Sequence, residues 1–205
     1  LCSRKEEACV EVAEKMKKLG VETLALKCDV PSQEDVKRCV EAALEKFGRI
    51  DILVNNSGAS WGAPAEEMPL EAWNKVLNVN VTGTFLMSQA VGKVMIDQQY
   101  GKIINIASVA GFKGSRPEVM DAIGYNASEG AVITFTKDLA VKWGPKGIYV
   151  NAIAPGFFPT KMSRGLLEKG GNTILDGTPL RKYGTENDLK GIALLLASKA
   201  SDFMT

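Results

Sequence analysis

Three side chains stand out for proton chemistry: Ser108, Tyr125 17 residues later, and Glu129 four residues beyond that. The chain contains no histidine. Imidazole acid–base catalysis, a Ser-His-Asp triad and His-ligated metals are therefore excluded. A phenol can act as the general acid instead, with a nearby hydroxyl orienting the substrate oxygen. Glu129 carries the same sign as a phenolate, so as an anion it raises the phenol's pKa above its ordinary value of about 10. At about 5 Å and an effective dielectric near 20, a unit charge is worth roughly 3 kcal/mol, enough to govern the acidity of Tyr125.

Positioning these groups requires rigid elements, and the sequence alternates short apolar runs with helical periods, as an α/β sheet with crossover helices does. Cys9, Val12, Ala13 and Met16 form a helical stripe that stops at Gly20. A strand follows at 23–27 and leads into Cys28-Asp29-Val30. Pro31 and Ser32 open a second helix, with Ser32 and Asp35 spaced as a capping box. Its stripe is Val36, Cys39, Val40, Ala43 and Phe47, and Gly48 closes it. Residues 50–54 predict a strand covered on both faces. A long helix is predicted over 70–98 with Asn80 inside it, then a strand over 102–107 that delivers Ser108. Residues 125–143 predict a helix and 148–154 a strand ended by Pro155-Gly156. Glycines and prolines in 157–186 predict a loop with short helices at most, before a last helix over 187–198.

In open α/β sheets, ligands bind beyond the carboxyl ends of the strands. Asp29, Asn56-Ser57-Gly58, Ser108 and Pro155-Gly156 all fall at such ends, which predicts a cofactor cleft. Gly58 permits close backbone approach, and Asn56 is expected to brace a neighbouring strand.

These segments together resemble the classical short-chain dehydrogenases/reductases. Tyr125-Asn126-Ala127-Ser128-Glu129 resembles the family's Tyr-x-x-x-Lys, with Glu129 at the lysine position. Leu53-Val54-Asn55-Asn56-Ser57-Gly58 resembles its Asn-Asn-Ala-Gly signature, and Asn80 in Asn78-Val79-Asn80-Val81 matches its catalytic asparagine. Asn105-Ile106-Ala107-Ser108 resembles the serine strand, with a longer spacing to the tyrosine that enlarges the loop within 113–122. Pro155-Gly156-Phe157-Phe158-Pro159-Thr160 resembles the segment that binds the nicotinamide end. The resemblance implies a single Rossmann-like domain over 1–205, a doubly wound parallel sheet with helices on both faces. It implies an oxidoreductase interconverting a ketone and a secondary alcohol, with 3-oxoacyl, sugar-acid or simple ketone substrates. Asn80, Ser108, Tyr125 and the Glu129 position would be catalytic. Ser3, Arg4, Asp29, Val30, Asn56, Ser57, Gly58, Pro155, Gly156 and Thr160 would bind cofactor. Arg4, placed to accept a ribose 2′-phosphate, favours NADP over NAD. A homotetramer or homodimer through the helices around 70–98 and 125–143 is also implied.

The family's first strand, glycine-rich loop and first helix, and its last strand, have no counterpart in the sequence, so a fragment of a longer protein is expected. Without that first strand, the strands at 23–27 and 50–54 are expected to carry unpaired edges. Glu129 supports an alternative, a catalytically impaired or non-catalytic relative. At +1 net charge, nothing marks nucleic acid or an anionic membrane as partner. Four cysteines without a C-x-x-C pair read as free thiols of a cytoplasmic protein, with no metal site expected.

Overall fold

Strand β3 (Ile52–Asn55) pairs in parallel with β4 (Gly101–Ile106), which pairs in parallel with β5 (Ile148–Ile153). In this computed structural model, which describes all 205 residues, β1 (Cys2–Ser3) and β2 (Leu26–Lys27) form a separate two-stranded parallel sheet. β3 carries the expected unpaired edge, whereas the strand predicted over 23–27 is reduced to Leu26–Lys27 and pairs with Cys2–Ser3, a partner not expected from the sequence. Ile52 and Val54 are 43% and 51% exposed, so the face of β3 they share is uncovered. This corrects the expectation that their strand is covered on both faces; only Leu53 and Asn55 point into the core.

Helix α1 (Glu6–Lys17) buries Cys9 and Ala13 but leaves Val12 and Met16 exposed, so only half of the predicted stripe is used. Helix α2 (Gln33–Phe47) begins as its sequence dictates. The Ser32 hydroxyl accepts from the Asp35 amide at 3.2 Å, and Gly48 ends the helix at φ 73°. The reciprocal arm differs, for the Asp35 carboxylate accepts from the amide of Asp29 at 2.8 Å and so fixes the strand end before the helix.

The predicted long helix is three pieces: α3 (Leu70–Leu77), a π-helical turn at Asn78–Thr82, and α4 (Gly83–Gln98). Such a bulge inserts a residue into the ladder and often marks a functional position. A Cβ added at Gly83 would stand 2.5 Å from Val30, so the helix approaches the strand end closely there. Helix α5 (Ile123–Trp143) crosses back to β5, and α6 (Arg164–Asp176) and α7 (Lys190–Ala197) complete the order. Thirteen residues of α6 lie where only short helices were expected. The helix packs despite its glycines: Gly170 is buried with the Glu118 carbonyl 3.0 Å from where a Cβ would be.

The main core lies between the strands and α2, α4 and α5, around Leu53, Val91, Met95, Ile103, Leu139, Ile148 and Val150. Lys102 is 1% exposed yet compensated: Nζ reaches Asp202 Oδ1 at 2.8 Å and Ser201 Oγ at 2.9 Å and lies over the Tyr149 ring. The chain's last residues are thereby pinned to the sheet, with Thr205 Oγ1 accepting from the Val150 amide. No helix is long and apolar enough to cross a membrane.

Candidate active site

A buried polar chain sets the strand ends. Asn55 donates to Ser88 Oγ at 3.0 Å and to Asn105 Oδ1 at 2.9 Å, and Asn105 donates to Thr136 Oγ1 at 2.9 Å. One network thus ties β3 to α4, β4 and α5. The bracing side chain is Asn55, not Asn56 as expected; Asn56 is exposed together with Ser57 and Gly58. Strand alternation is the reason, since Asn55 shares the inward face with Leu53.

Asn80 is 3% exposed and sits on the π turn. Its Oδ1 accepts from the Ala59 amide at 2.7 Å. Its Nδ2 donates to Ala59 O at 3.0 Å, to Ser128 Oγ at 2.9 Å and to Glu129 Oε1 at 3.4 Å. One amide therefore clamps the loop after β3 onto α5. Asn78, its near neighbour in sequence, lines a cleft instead.

Ser108 leaves β4 in extended conformation, and its hydroxyl accepts from the Ala110 amide at 3.2 Å, capping the short turn Val109–Gly111. That turn abuts α5, since a Cβ at Gly111 would stand 2.7 Å from the Glu129 backbone carbon. The contact brings Ser108 to the first turn of α5, where Tyr125 is half-buried. Burial pushes the Tyr125 phenol above its ordinary range, Glu129 pushes it further, and the Ser108 hydroxyl pulls it down. The sequence had assigned the main effect to the Glu129 charge; the structure puts burial first.

Glu129 is 5% exposed, its Oε2 has no partner, and burial pushes its carboxyl up to about 7. Neither Lys113 nor Lys161 pairs with it: Oε1 meets only Asn80, and Lys161 lies along a second cleft with Thr160 and Arg164. A raised carboxyl pKa binds more protons in the folded state, so stability falls as pH rises from the unfolded value of 4.5 through about 7. The full loss above that window is about 3 kcal/mol. Glu129→Gln is therefore expected to melt several degrees above the parent at pH 8, with the difference closing near pH 4.5. Thermal denaturation followed by circular dichroism checks this, and equal melting points at pH 8 would contradict it.

Arg4 and Asp29 come together with Pro31, Leu70, Asn78 and Val79 around a cleft of about 650 Å³. Ser3 turns away from it, its hydroxyl meeting Lys5 and the Cys9 thiol. Val30 is also withdrawn, its side chain buried in the core. Pro155 holds the serine turn by accepting from the Val109 amide at 3.1 Å, and Gly156 is exposed. Thr160 is exposed, with its hydroxyl 3.1 Å from that of Ser163.

The donor set suits a nicotinamide dinucleotide. Two cations (Arg4 and Lys75), two carboxylates (Asp29 and Glu71) and two amides (Asn74 and Asn78) line the cleft. Exposed Asn56, Ser57 and Gly58 follow β3, and a Cβ at Gly58 would touch Asn80 Oδ1 and the Met162 methyl, each at 3.9 Å. Beside Asn80, the buried, unpartnered Glu129 oxygen is an acceptor that a ribose hydroxyl reaching it would satisfy.

A family profile described as short chain dehydrogenase matches residues 1–170. A 3-oxoacyl-[acyl-carrier-protein] reductase of Synechocystis is 38% identical over 179 residues, covering 87% of this chain and 70% of the relative. Among solved structures, a gluconate 5-dehydrogenase from Burkholderia cenocepacia in complex with NADP and tartrate superposes with a TM-score of 0.92 at 34% identity, covering 99% of this chain and 79% of the other. An NAD+-bound xylitol dehydrogenase superposes with a TM-score of 0.92 at 32% identity, covering 100% and 84%.

Proposed function

The chain belongs to the short-chain dehydrogenase family, and we propose that within it the protein is an NADP-dependent reductase of ketones, with the reverse alcohol oxidation on the same residues. The observation that carries this reading is the convergence of Ser108 and Tyr125 at one strand end, with the phenol's acidity set first by burial and then by Glu129 and Ser108. A bound reduced nicotinamide supplies the hydride that a carbonyl carbon takes up. The Ser108 hydroxyl donates to the carbonyl oxygen and holds it against the phenol. Tyr125 then gives its proton to that oxygen as charge develops there, producing the alcohol. Asn80 acts by position, locking the loop after β3 to the helix that carries Tyr125. Glu129 holds a ribose hydroxyl through its free oxygen and, when ionised, weakens Tyr125 as an acid.

Arg4 beside Asp29 supports NADP, because a guanidinium pairs with a 2′-phosphate. Exposed Asn56, Ser57, Gly58, Gly156 and Thr160 complete our cofactor-binding assignment, with Ser3 and Val30 contributing backbone only. The loop within 113–122 lies against α6 and supports a substrate side shaped by both segments; 3-oxoacyl and sugar-acid ketones head the panel to be tried. Four free cysteines support a cytoplasmic setting. The exposed side chains of Phe85 on α4 and Val141 on α5 support assembly as a homotetramer or homodimer through those helices. The test is NADPH and NADH binding by fluorescence, followed by cofactor oxidation across that panel. NADPH-dependent turnover supports the reading. Binding without turnover by either the parent or a Glu129→Lys variant would favour the non-catalytic alternative.

A further inference from the structure

The sulfur atoms of Cys2, Cys28 and Cys39 all lie within 4.8 Å of one another. They come from three elements: β1, the residue after β2, and α2. Cys28 is 1% exposed, Cys39 is 6% exposed, and Cys2 is half-buried. Cys9 stands apart, its thiol donating to the Ser3 hydroxyl at 3.2 Å.

Chain geometry argues against a disulfide between the strands. Cys2 is in register with Leu26, two residues before Cys28. Strand rise and spacing then put the Cys2 and Cys28 Cα atoms about 8 Å apart, beyond the ~7 Å that a disulfide spans. The three sulfurs nevertheless converge, a grouping that suits a shared ion, and the Cys39 thiol also donates to the Lys27 carbonyl at 3.8 Å. In a tetrahedral zinc site, metal–sulfur bonds of about 2.3 Å place the sulfurs about 3.8 Å apart, a small inward adjustment from the observed limit. We propose that Cys2, Cys28 and Cys39 form a thiolate site for a divalent thiophilic cation of the zinc class.

Binding breaks three S–H bonds and forms three metal–sulfur bonds, with the protons released to solvent. A doubly charged cation among three thiolates leaves a single net negative charge, a smaller burden on a buried site than a monovalent ion would leave. The half-exposed Cys2 gives the ion its entry, and water completes the fourth position.

The test titrates Cd(II), then Zn(II), into the fully reduced chain and follows thiolate-to-cadmium charge-transfer absorption. The proposal expects saturation at one equivalent, an unchanged titration in Cys9→Ser, and at least a tenfold weaker one in both Cys2→Ser and Cys39→Ala. Circular dichroism confirms that each variant keeps its fold, and Cys2, on the half-exposed side, is the change least able to disturb it. Zn(II) is also expected to raise the parent's melting temperature and not that of Cys2→Ser. No charge-transfer band in the reduced parent, or a band of equal strength in folded Cys2→Ser, would show that the three cysteines only fill the core.

Discussion

Glu129→Lys is expected to raise kcat/KM for NADPH-dependent ketone reduction about 100-fold at pH 7. Burial pushes the carboxyl up to about 7, so the parent is roughly half ionised there and carries part of a full anionic penalty. Placing a cation about 5 Å from the phenol, at an effective dielectric near 20, reverses an interaction of roughly 3 kcal/mol. From a half-ionised parent the total change is about 4.5 kcal/mol, and about 60% of it reaching the proton-transfer transition state corresponds to two orders of magnitude. Burial remains the first cause of the raised phenol and is untouched by the substitution, so the gain is bounded. Initial rates across the ketone panel check the expectation. An unchanged rate in a variant that folds and binds NADPH would remove Glu129 as the determinant of rate.

Tyr125→Phe is expected to lower kcat/KM about 1,000-fold while leaving NADPH affinity within a few-fold. The phenol stands within hydrogen-bond influence of Ser108, and the chain has no histidine to supply its proton instead. General acid catalysis is worth about 100- to 10,000-fold, which sets the magnitude. Measuring the change in the Glu129→Lys background as well gives a larger range, and the two losses should agree in direction. Retention of rate in Tyr125→Phe would assign the proton to another donor.

Much of this site was legible because it depends on short local rules. Ser32 and Gly48 bound α2 through capping chemistry that involves only neighbouring residues. Ser108, Tyr125 and Glu129 were readable from side-chain type and spacing, and the sign of the Glu129 effect followed from charge alone. Tertiary context decided the rest. Asn55 and Asn56 are adjacent amides, and only the strand's register shows which faces the core. Ile52 and Val54 read as buried because an apolar run does not reveal which face of the sheet lacks a covering layer. Three glycines made α6 read as a loop, since each costs a helix about 1 kcal/mol, yet close packing at Gly170 outweighs that propensity. The protonation of Glu129 was the largest gap, because a sequence shows a carboxylate's charge but not its desolvation. The thiol cluster was hidden for a similar reason: Cys2, Cys28 and Cys39 are far apart in sequence and meet only where two strands and a helix converge.

The pH dependence of kcat/KM for ketone reduction, measured between pH 5.5 and 9 in the parent and in Glu129→Gln, tests most directly whether Glu129 governs the acidity of Tyr125. In the parent, the rate should fall as pH rises through about 7, where the carboxyl ionises. Glu129→Gln should lose that limb and hold its rate up to the ionisation of the phenol itself. Superimposable profiles for the two proteins would contradict the account.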